Sequence, residues 1–246
     1  MFKIPLKTTF NYSPNFTTYK RTKRNIKYLI YHYTGMSSET KAINRLTNDR
    51  SKVSCHYFIK RNGSVIVMVP DIYEAWHAGK SKWKQDNLLN SKSIGIEISN
   101  KGHQFGYQNF TKKQINSLIK LSKFLIKKYN LKKENILGHS DIAAARKKDP
   151  GEKFPWEFLS KKNIGIWHNL NKYKLQKFRY TKVSKNEEIM FFKNLNKIGY
   201  HLNFKLPQKK IKLIKSFQRH FRQKIINGKI DQETMLIAEN LIKNKI

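Results

Sequence analysis

Apolar and polar side chains alternate along residues 26–33, IKYLIYHY, and most of these residues are β-branched or aromatic. This pattern is typical of a β-strand, in which every second side chain points to the same face. Ile26, Tyr28, Ile30 and His32 share one face, and His32 comes at the carboxyl end of the stretch. Because functional side chains concentrate where strands pass into loops, His32 is a candidate site residue.

A second alternating stretch, SIGIEISN at residues 93–100, contains a carboxylate. The three isoleucines of this stretch share one face, and Glu97 lies on the other. A charged side chain in an otherwise apolar strand costs free energy unless its face opens on a polar cleft. Glu97 is therefore a second candidate site residue.

Further elements alternate between strand and helix. Two apolar runs joined through Asn62-Gly63 predict a β-hairpin, and Ser37 or Ser38 can cap a short helix. Apolar residues at helical spacing, preceded by a capping box, predict a long helix over residues 111–129. The stretch NILGHS then predicts a short strand that ends at His139. Strands and helices in alternation indicate an α/β domain.

The chain after FPWEFL is basic and lacks clean periodicity, so we interpret it as a closing segment and a linker. From about Asn186 onward three helical patterns follow, and they predict a small three-helix domain. Asp231 can cap the third helix. The apolar residues of the three patterns are Ile189, Phe192 and Leu195, then Ile211, Ile214, Phe217 and Phe221, then Met235, Ala238 and Leu241.

Composition limits the class of protein. The chain has 246 residues and 39% apolar content, enough to bury a hydrophobic core. No apolar run is long enough to cross a bilayer, and the first twenty residues lack the apolar segment of a signal peptide. The single cysteine, Cys55, excludes an intrachain disulfide.

The net charge is +35, from 51 Lys and Arg against 16 Asp and Glu. Such an excess favours anionic partners such as nucleic acid, acidic polymers or membrane surfaces. The lysines are spread along the whole chain, a distribution that fits a compositional bias of the source equally well. Without a recognition motif, we expect salt-sensitive and nonspecific association with nucleic acid.

Residues 138–151, GHSDIAAARKKDPG, combine a histidine and an aspartate in one polar loop. With His32, they could supply two imidazoles and a carboxylate, the open ligand set of hydrolytic zinc sites. A nearby carboxylate could then act as general base, and a nearby cation could stabilise an oxyanion. By spacing alone this set is weak, because single histidines are more often surface or packing residues, so a purely structural role stays open.

Six separated motifs resemble those of the zinc-dependent N-acetylmuramoyl-L-alanine amidases of the AmiD type. In chain order they are YLIYHYTG, SCHYFIKRNGSVIVMVP, EAWHAG, SIGIEISN, GHSDIAAARKKDPG and FPW, and they cover approximately residues 26–156. The resemblance implies Zn²⁺ as the cofactor. It also implies His32, His139 and Asp149 as the metal ligands, with Glu97 and Lys147 as the catalytic residues.

Two further residues are candidates for substrate binding. His77, in the motif EAWHAG, resembles a substrate-cleft position of the family, and Trp76 lies beside it in the sequence. A structural role for His77 beside Trp76 is the alternative. The chain departs from the family pattern at Ala144, where proline is usual after GHSDIA, so a residue that stiffens the loop is missing.

The family's catalytic domain has the peptidoglycan-recognition-protein fold. The resemblance therefore implies a mixed central sheet flanked by helices, in a zinc amidase domain with its closing segment at residues 1–180. The motifs LNKIGY, FQRHF and GKIDQET resemble the small helical peptidoglycan-binding domain often found beside such amidases, which here would span residues 186–246.

The resulting functional expectation is hydrolysis of the amide between N-acetylmuramic acid and L-alanine in peptidoglycan or muropeptides, by a monomer. We expect the bacterial cell envelope, in the periplasm, as its location. The cytoplasm is the alternative, because the given chain shows no signal peptide. A peptidoglycan-recognition module without catalysis is the second hypothesis for function, and a nonspecific nucleic-acid binder is the third.

Overall fold

The computed structural model of the chain describes residues 5–202 and 206–243. The strands are β1 (Thr8–Phe10), β2 (Phe16–Thr17), β3 (Tyr28–Tyr33), β4 (Tyr57–Ile59), β5 (Val65–Val67), β6 (Glu74–Ala75), β7 (Lys82–Trp83), β8 (Asp86–Asn87), β9 (Ser93–Ile98) and β10 (Ile136–Gly138). The helices are α1 (Glu39–Thr47), α2 (Lys112–Tyr129), α3 (His139–Ile142), α4 (Trp156–Ser160), α5 (Lys172–Gln176), α6 (Lys185–Ile198), α7 (Pro207–Phe221) and α8 (Gln232–Lys243).

The main sheet of the described residues is six-stranded and mixed, in the order β1-β5-β4-β9-β3-β10. Strands β4 and β5 form the antiparallel hairpin predicted at Asn62-Gly63, and the other neighbouring pairs are parallel. The mixed sheet flanked by helices is the predicted fold class. Strands β3 and β9 confirm the two alternating stretches, except that Ile26 precedes β3 and packs with Leu29 and Tyr31 instead of Tyr28 and Ile30.

The predicted helix starts are also confirmed. Ser38 caps α1 by accepting a hydrogen bond from the Lys41 backbone N–H. Thr111 and Gln114 form the capping box of α2, in which the Thr111 hydroxyl accepts from the backbone of Gln114. Local sequence therefore determines where both helices begin.

The two faces of the central strands pack against different layers. Leu29 and Tyr31 of β3 belong to a core cluster that contains the buried leucines of α2. Tyr28 and Ile30 belong to another cluster, which contains buried residues of α6, α7 and α8. The C-terminal helices thus cover one face of the sheet, and the two parts of the chain share a hydrophobic core.

The segment interpreted as a linker is more ordered than its sequence suggested. It contains α5, and Leu175 of that helix is buried in the core cluster shared with the C-terminal helices. The three C-terminal helices are confirmed, but two apolar residues of the predicted patterns lie outside the core. Ile189 is 54% exposed and Ile211 is 44% exposed, because α6 and α7 instead bury faces that include Phe191 and Leu213.

None of the described helices is both long enough and apolar enough to span a membrane.

Candidate metal centre and its cleft

Three neighbouring parallel strands bring the predicted chemical groups to one edge of the sheet. His32 lies near the carboxyl end of β3, Glu97 near the end of β9, and His139 directly follows β10. His32 and Glu97 are paired residues in the β3–β9 register. The carboxyl ends of parallel strands are the usual place for a site in open α/β sheets.

Asp149 reaches the same point from the loop that follows α3. Its carboxylate Oδ2 lies 3.1 Å from His32 Nδ1 and 3.0 Å from His139 Nδ1, and the two Nδ1 atoms are 2.9 Å apart. Ligand atoms bound at about 2.0–2.1 Å to a tetrahedral ion stand roughly 3.3 Å apart. His32, His139 and Asp149 are therefore nearly at coordination spacing, and the group could hold a metal ion.

The outer nitrogens of both histidines have acceptors that fix the orientation of the rings. His139 Nε2–H donates to the Ala78 carbonyl (3.1 Å), and His32 Nε2–H donates to His77 Nδ1 (3.0 Å). His77 Nε2–H in turn donates to the Ser93 hydroxyl (3.1 Å). In this arrangement both Nδ1 atoms converge on one point beside a carboxylate, which suits a bound cation.

The electrostatics also favour a cation. Burial, reinforced by His139, lowers the pKa of His32 to about 4, so its imidazole is neutral at pH 7. Burial alone would raise the pKa of Asp149, but the neighbouring His139 and His32 outweigh it and hold this pKa well below its usual range. A neutral imidazole at His32 and an ionised carboxylate at Asp149 are protonation states that bind a divalent metal.

The pKa of Glu97 is shifted in the direction opposite to that of Asp149. Its Oε2 atom is buried and makes no hydrogen bond within the described part of the chain. Burial, together with the charge of Asp149, raises the pKa of Glu97 to about 8, while Lys147 opposes this rise. A carboxyl group with a pKa near neutrality can both accept and release a proton.

A cleft of about 750 Å³ opens over these groups, a size typical of small-molecule sites. Glu97, Lys147 and Asp149 line it, and further basic side chains stand around it. The basic residues that join Lys147 in the lining are Arg45, Arg146 and Lys148. The cleft therefore combines a candidate metal centre, a carboxyl group of raised pKa and an excess of positive charge.

The two predicted substrate-binding residues lie in different places. His77 lines the cleft but is only 5% exposed, because its ring lies beside His32 and packs against the backbone of β9. A Cβ atom on Gly95 would lie 2.4 Å from His77 Cγ, so glycine is required there. Trp76 is not among the described residues that line the cleft. Its indole N–H donates to the Thr17 hydroxyl (3.0 Å).

Sequence patterns pointed to no role for His103, yet it lines the cleft. The Tyr33 hydroxyl donates to His103 Nδ1 (2.9 Å), and His103 Nε2–H donates to Glu152 (3.0 Å). The signal that could have found it is its position soon after β9, in the loop at the functional edge of the sheet.

The family described as N-acetylmuramoyl-L-alanine amidase matches residues 22–152. The chain is 36% identical to N-acetylmuramoyl-L-alanine amidase AmiD of Escherichia coli, over 89% of this chain and 83% of that protein. It is 39% identical to 1,6-anhydro-N-acetylmuramyl-L-alanine amidase AmpD of Haemophilus influenzae, over 43% of this chain and 56% of that protein.

Solved structures give the same picture for the fold. E. coli AmiD, in complex with anhydro-N-acetylmuramic acid-L-Ala-D-gamma-Glu-L-Lys, matches with a TM-score of 0.80 and 33% identity, over 89% of this chain and 90% of that chain. AmpDh3 from Pseudomonas aeruginosa matches with a TM-score of 0.78 and 29% identity, over 93% of this chain and 94% of that chain. Both matches extend well past the catalytic part, into the C-terminal helices.

Proposed function

Since this chain belongs to the N-acetylmuramoyl-L-alanine amidase family, we propose that its cleft hydrolyses the amide between N-acetylmuramic acid and L-alanine with the help of Zn²⁺. The observation that carries the proposal is the convergence of His32, His139 and Asp149 at coordination spacing beside Glu97. The relative AmiD is described with an anhydromuramyl peptide as its substrate, and we extend that substrate class to this chain.

The donor set fits zinc. Two imidazole nitrogens and one carboxylate oxygen leave a fourth tetrahedral position open, as in hydrolytic zinc sites. Softer or larger ions prefer other ligands, since sulfur donors are absent from this group and calcium requires six or more oxygens. A zinc ion in such a site supplies Lewis acidity and lowers the pKa of water to about 7.

Glu97 is proposed as the residue that moves protons. Its raised pKa lets it take a proton from the attacking water and give it to the nitrogen of the leaving L-alanine. The second transfer is needed because the nitrogen would otherwise have to leave as an amide anion, which is a very poor leaving group. Gln at this position would keep the shape of Glu97 and lose both transfers.

Lys147 is proposed to stabilise the negative charge that develops on the carbonyl oxygen of the scissile amide. Its ammonium group lines the cleft and acts electrostatically on both His32 and Glu97. Placed there before the reaction, it needs no reorganisation as the charge develops.

His77 is proposed to orient the metal site, because its two ring nitrogens bond to His32 and Ser93. Its position in the cleft lining leaves the predicted substrate contact open to test. Hydrogen bonds to the outer nitrogen of a ligand histidine fix its tautomer and its ring orientation. A substrate contact by Trp76 stays a prediction; its indole N–H donates to the Thr17 hydroxyl (3.0 Å).

The C-terminal part, residues 186–246, is proposed to favour polymeric peptidoglycan as a substrate beside soluble muropeptides. The basic residues of the whole chain, at a net charge of +35, would add attraction to the anionic wall. We propose the cell envelope as the place of action, with cytoplasmic recycling of anhydromuropeptides as the alternative.

The test is metal removal and restoration. Chelation should abolish the release of stem peptide from an anhydromuropeptide, and stoichiometric Zn²⁺ should restore it, as followed by mass spectrometry of the products. Undiminished release by protein shown to be free of metal would contradict the proposal. Binding of muropeptide without any cleavage, by the zinc-loaded protein, would favour the recognition module instead.

A further inference from the structure

A buried carboxylate holds the turn that carries His139. Asp141 lies two residues after His139 in α3 and is 3% exposed. Its Oδ2 accepts hydrogen bonds from the Gly138 backbone N–H (2.8 Å) and from His220 Nδ1 (2.8 Å). Its Oδ1 accepts from the Tyr200 hydroxyl (2.6 Å). Asp141 therefore ties the backbone on the amino side of His139 to two side chains that are distant in sequence.

Both distant side chains belong to the C-terminal part of the chain. Tyr200 follows α6, His220 lies in α7, and each is buried. The His220 ring stacks on Trp156 at a centroid distance of 3.8 Å. Close by, the Ser216 hydroxyl of α7 donates to the Ser140 carbonyl (2.7 Å). Helix α7 thus contacts both residues that follow His139.

These contacts are unlike those of a module that is only tethered. A tethered module would meet the catalytic part through exposed, exchangeable groups, whereas here a buried carboxylate takes two of its donors from it. Removing one donor from a buried carboxyl group leaves an acceptor without a partner and costs free energy. The turn can recover part of this cost by moving toward other partners. Any such movement displaces His139, because the turn is only four residues long.

We propose that Tyr200 and His220 are positioning residues for the metal centre. Through Asp141 they hold His139 Nδ1 at coordination spacing from His32 and Asp149, so that the C-terminal helices contribute to metal affinity. This inference rests on the proposed function, because it takes the ligand group to be a zinc site.

The experiment measures zinc affinity in full-length variants by competition with a chromophoric chelator. Tyr200→Phe and His220→Leu each delete one donor to Asp141 and keep most of the side-chain volume. We expect each to weaken zinc binding about 10-fold, the lower end of the effect of outer-shell partners on metal sites. The absorption spectrum of the Co²⁺-substituted protein should change in both variants, since ligand geometry changes.

A conservative substitution and a matched control separate positioning from general destabilisation. His220→Asn places an amide N–H near the position of Nδ1 and should recover most of the zinc affinity, although it loses the stacking on Trp156. Thr234→Val also deletes a buried hydroxyl, which donates to Asp231 Oδ1 (2.6 Å) and makes no bond to Asp141. It should lower the unfolding midpoint and leave zinc affinity unchanged.

Equal zinc affinity in wild type, Tyr200→Phe and His220→Leu would overturn the inference while the amidase proposal stands. Equal weakening in Thr234→Val would also overturn it, because loss of stability alone would then explain the effect. A wild-type protein that neither binds zinc nor cleaves muropeptide would instead contradict the proposed function.

Discussion

Asp149 and Glu97 lie in the same cleft, yet their surroundings shift their pKa values in opposite directions. Asp149 faces two imidazoles, and its pKa is held well below the usual range. Glu97 is buried without a hydrogen-bond partner for Oε2 among the described residues, and its pKa is raised to about 8. The two carboxylates therefore differ in function: Asp149 stays ionised and suits a metal ligand, whereas Glu97 can exchange a proton.

The largest effect should follow from removing the ionised carboxylate. Asp149→Asn replaces an anionic ligand by a neutral amide at the same position. We expect zinc affinity and turnover to fall together, each on the order of 10³-fold or more, because the site loses the charge that neutralises the cation. Metal analysis after dialysis and a muropeptide assay measure the two losses. Full zinc content with normal turnover would show that Asp149 is not a ligand.

Glu97→Gln should distinguish the role of Glu97 from that of Asp149. Because Glu97 is proposed to move protons and not to bind metal, the variant should keep its zinc and its substrate affinity. Its kcat should fall about 10²- to 10⁴-fold, the usual contribution of a general acid–base group. Glu97→Asp serves as the control, since it keeps the carboxyl group and should retain part of the rate. A loss of zinc in Glu97→Gln would remove the distinction between the two residues.

Lys147→Ala should have a smaller effect and should also change the pH dependence. We expect kcat to fall about 10²-fold through loss of charge stabilisation. Lys147 favours the ionised form of Glu97, so its removal raises the pKa of Glu97 further. The acidic limb of the pH–kcat profile should therefore move to higher pH, because Glu97 must be ionised to accept a proton. Lys147→Arg keeps the charge, and its limb should stay near that of wild type.

Another buried carboxylate, Asp71, tests whether burial by itself is enough to give a carboxyl group a role in catalysis. Its side chain accepts from Tyr57, Tyr129 and Lys128, at 2.8, 2.6 and 2.7 Å. Burial would raise the pKa of Asp71, but Lys128 and the hydrogen bonds outweigh it and lower this pKa. Asp71→Asn should leave turnover unchanged and lower the free energy of unfolding by about 1–3 kcal/mol at pH 7.

The pH dependence of that loss follows from the lowered pKa. The stabilisation by ionised Asp71 is present above the ordinary carboxyl pKa of about 3.9 and is lost as the pH falls through the lower folded-state pKa. The difference between wild type and Asp71→Asn in urea unfolding should therefore shrink below about pH 4. A difference that grows on acidification would mean that Asp71 is not held ionised.

Much of the fold could be predicted from the sequence, because the signals for these strands and helices are local. Alternation predicted β3 and β9, Asn62-Gly63 predicted the hairpin, and Thr111 predicted the start of α2. Glu97 stood out for the same reason, since an unexplained carboxylate in an apolar strand is visible without any tertiary information. The part of the site that lies at strand ends, such as Glu97, could therefore be predicted from the sequence.

The remainder depends on contacts between distant parts of the chain. His32 and Asp149 are 117 residues apart, so their chemistry alone gave weak evidence for a shared site, and the family resemblance strengthened it. No local pattern shows that His77 stands behind His32, or that His220 reaches Asp141. Helical periodicity likewise left Ile189 on the buried face, because it does not tell which side of α6 meets the sheet.

The cleft is proposed to use water to cut the bond between the lactyl carbonyl of N-acetylmuramic acid and the nitrogen of L-alanine. The most direct measurement is mass spectrometry of the products that the zinc-loaded protein forms from an anhydromuropeptide in heavy-oxygen water. We predict a heavy oxygen atom in the lactyl carboxylate of the muramic acid, and an unlabelled peptide with a free L-alanine amino group. Cleavage at any other bond, or heavy oxygen in the peptide alone, would contradict the proposed amidase reaction.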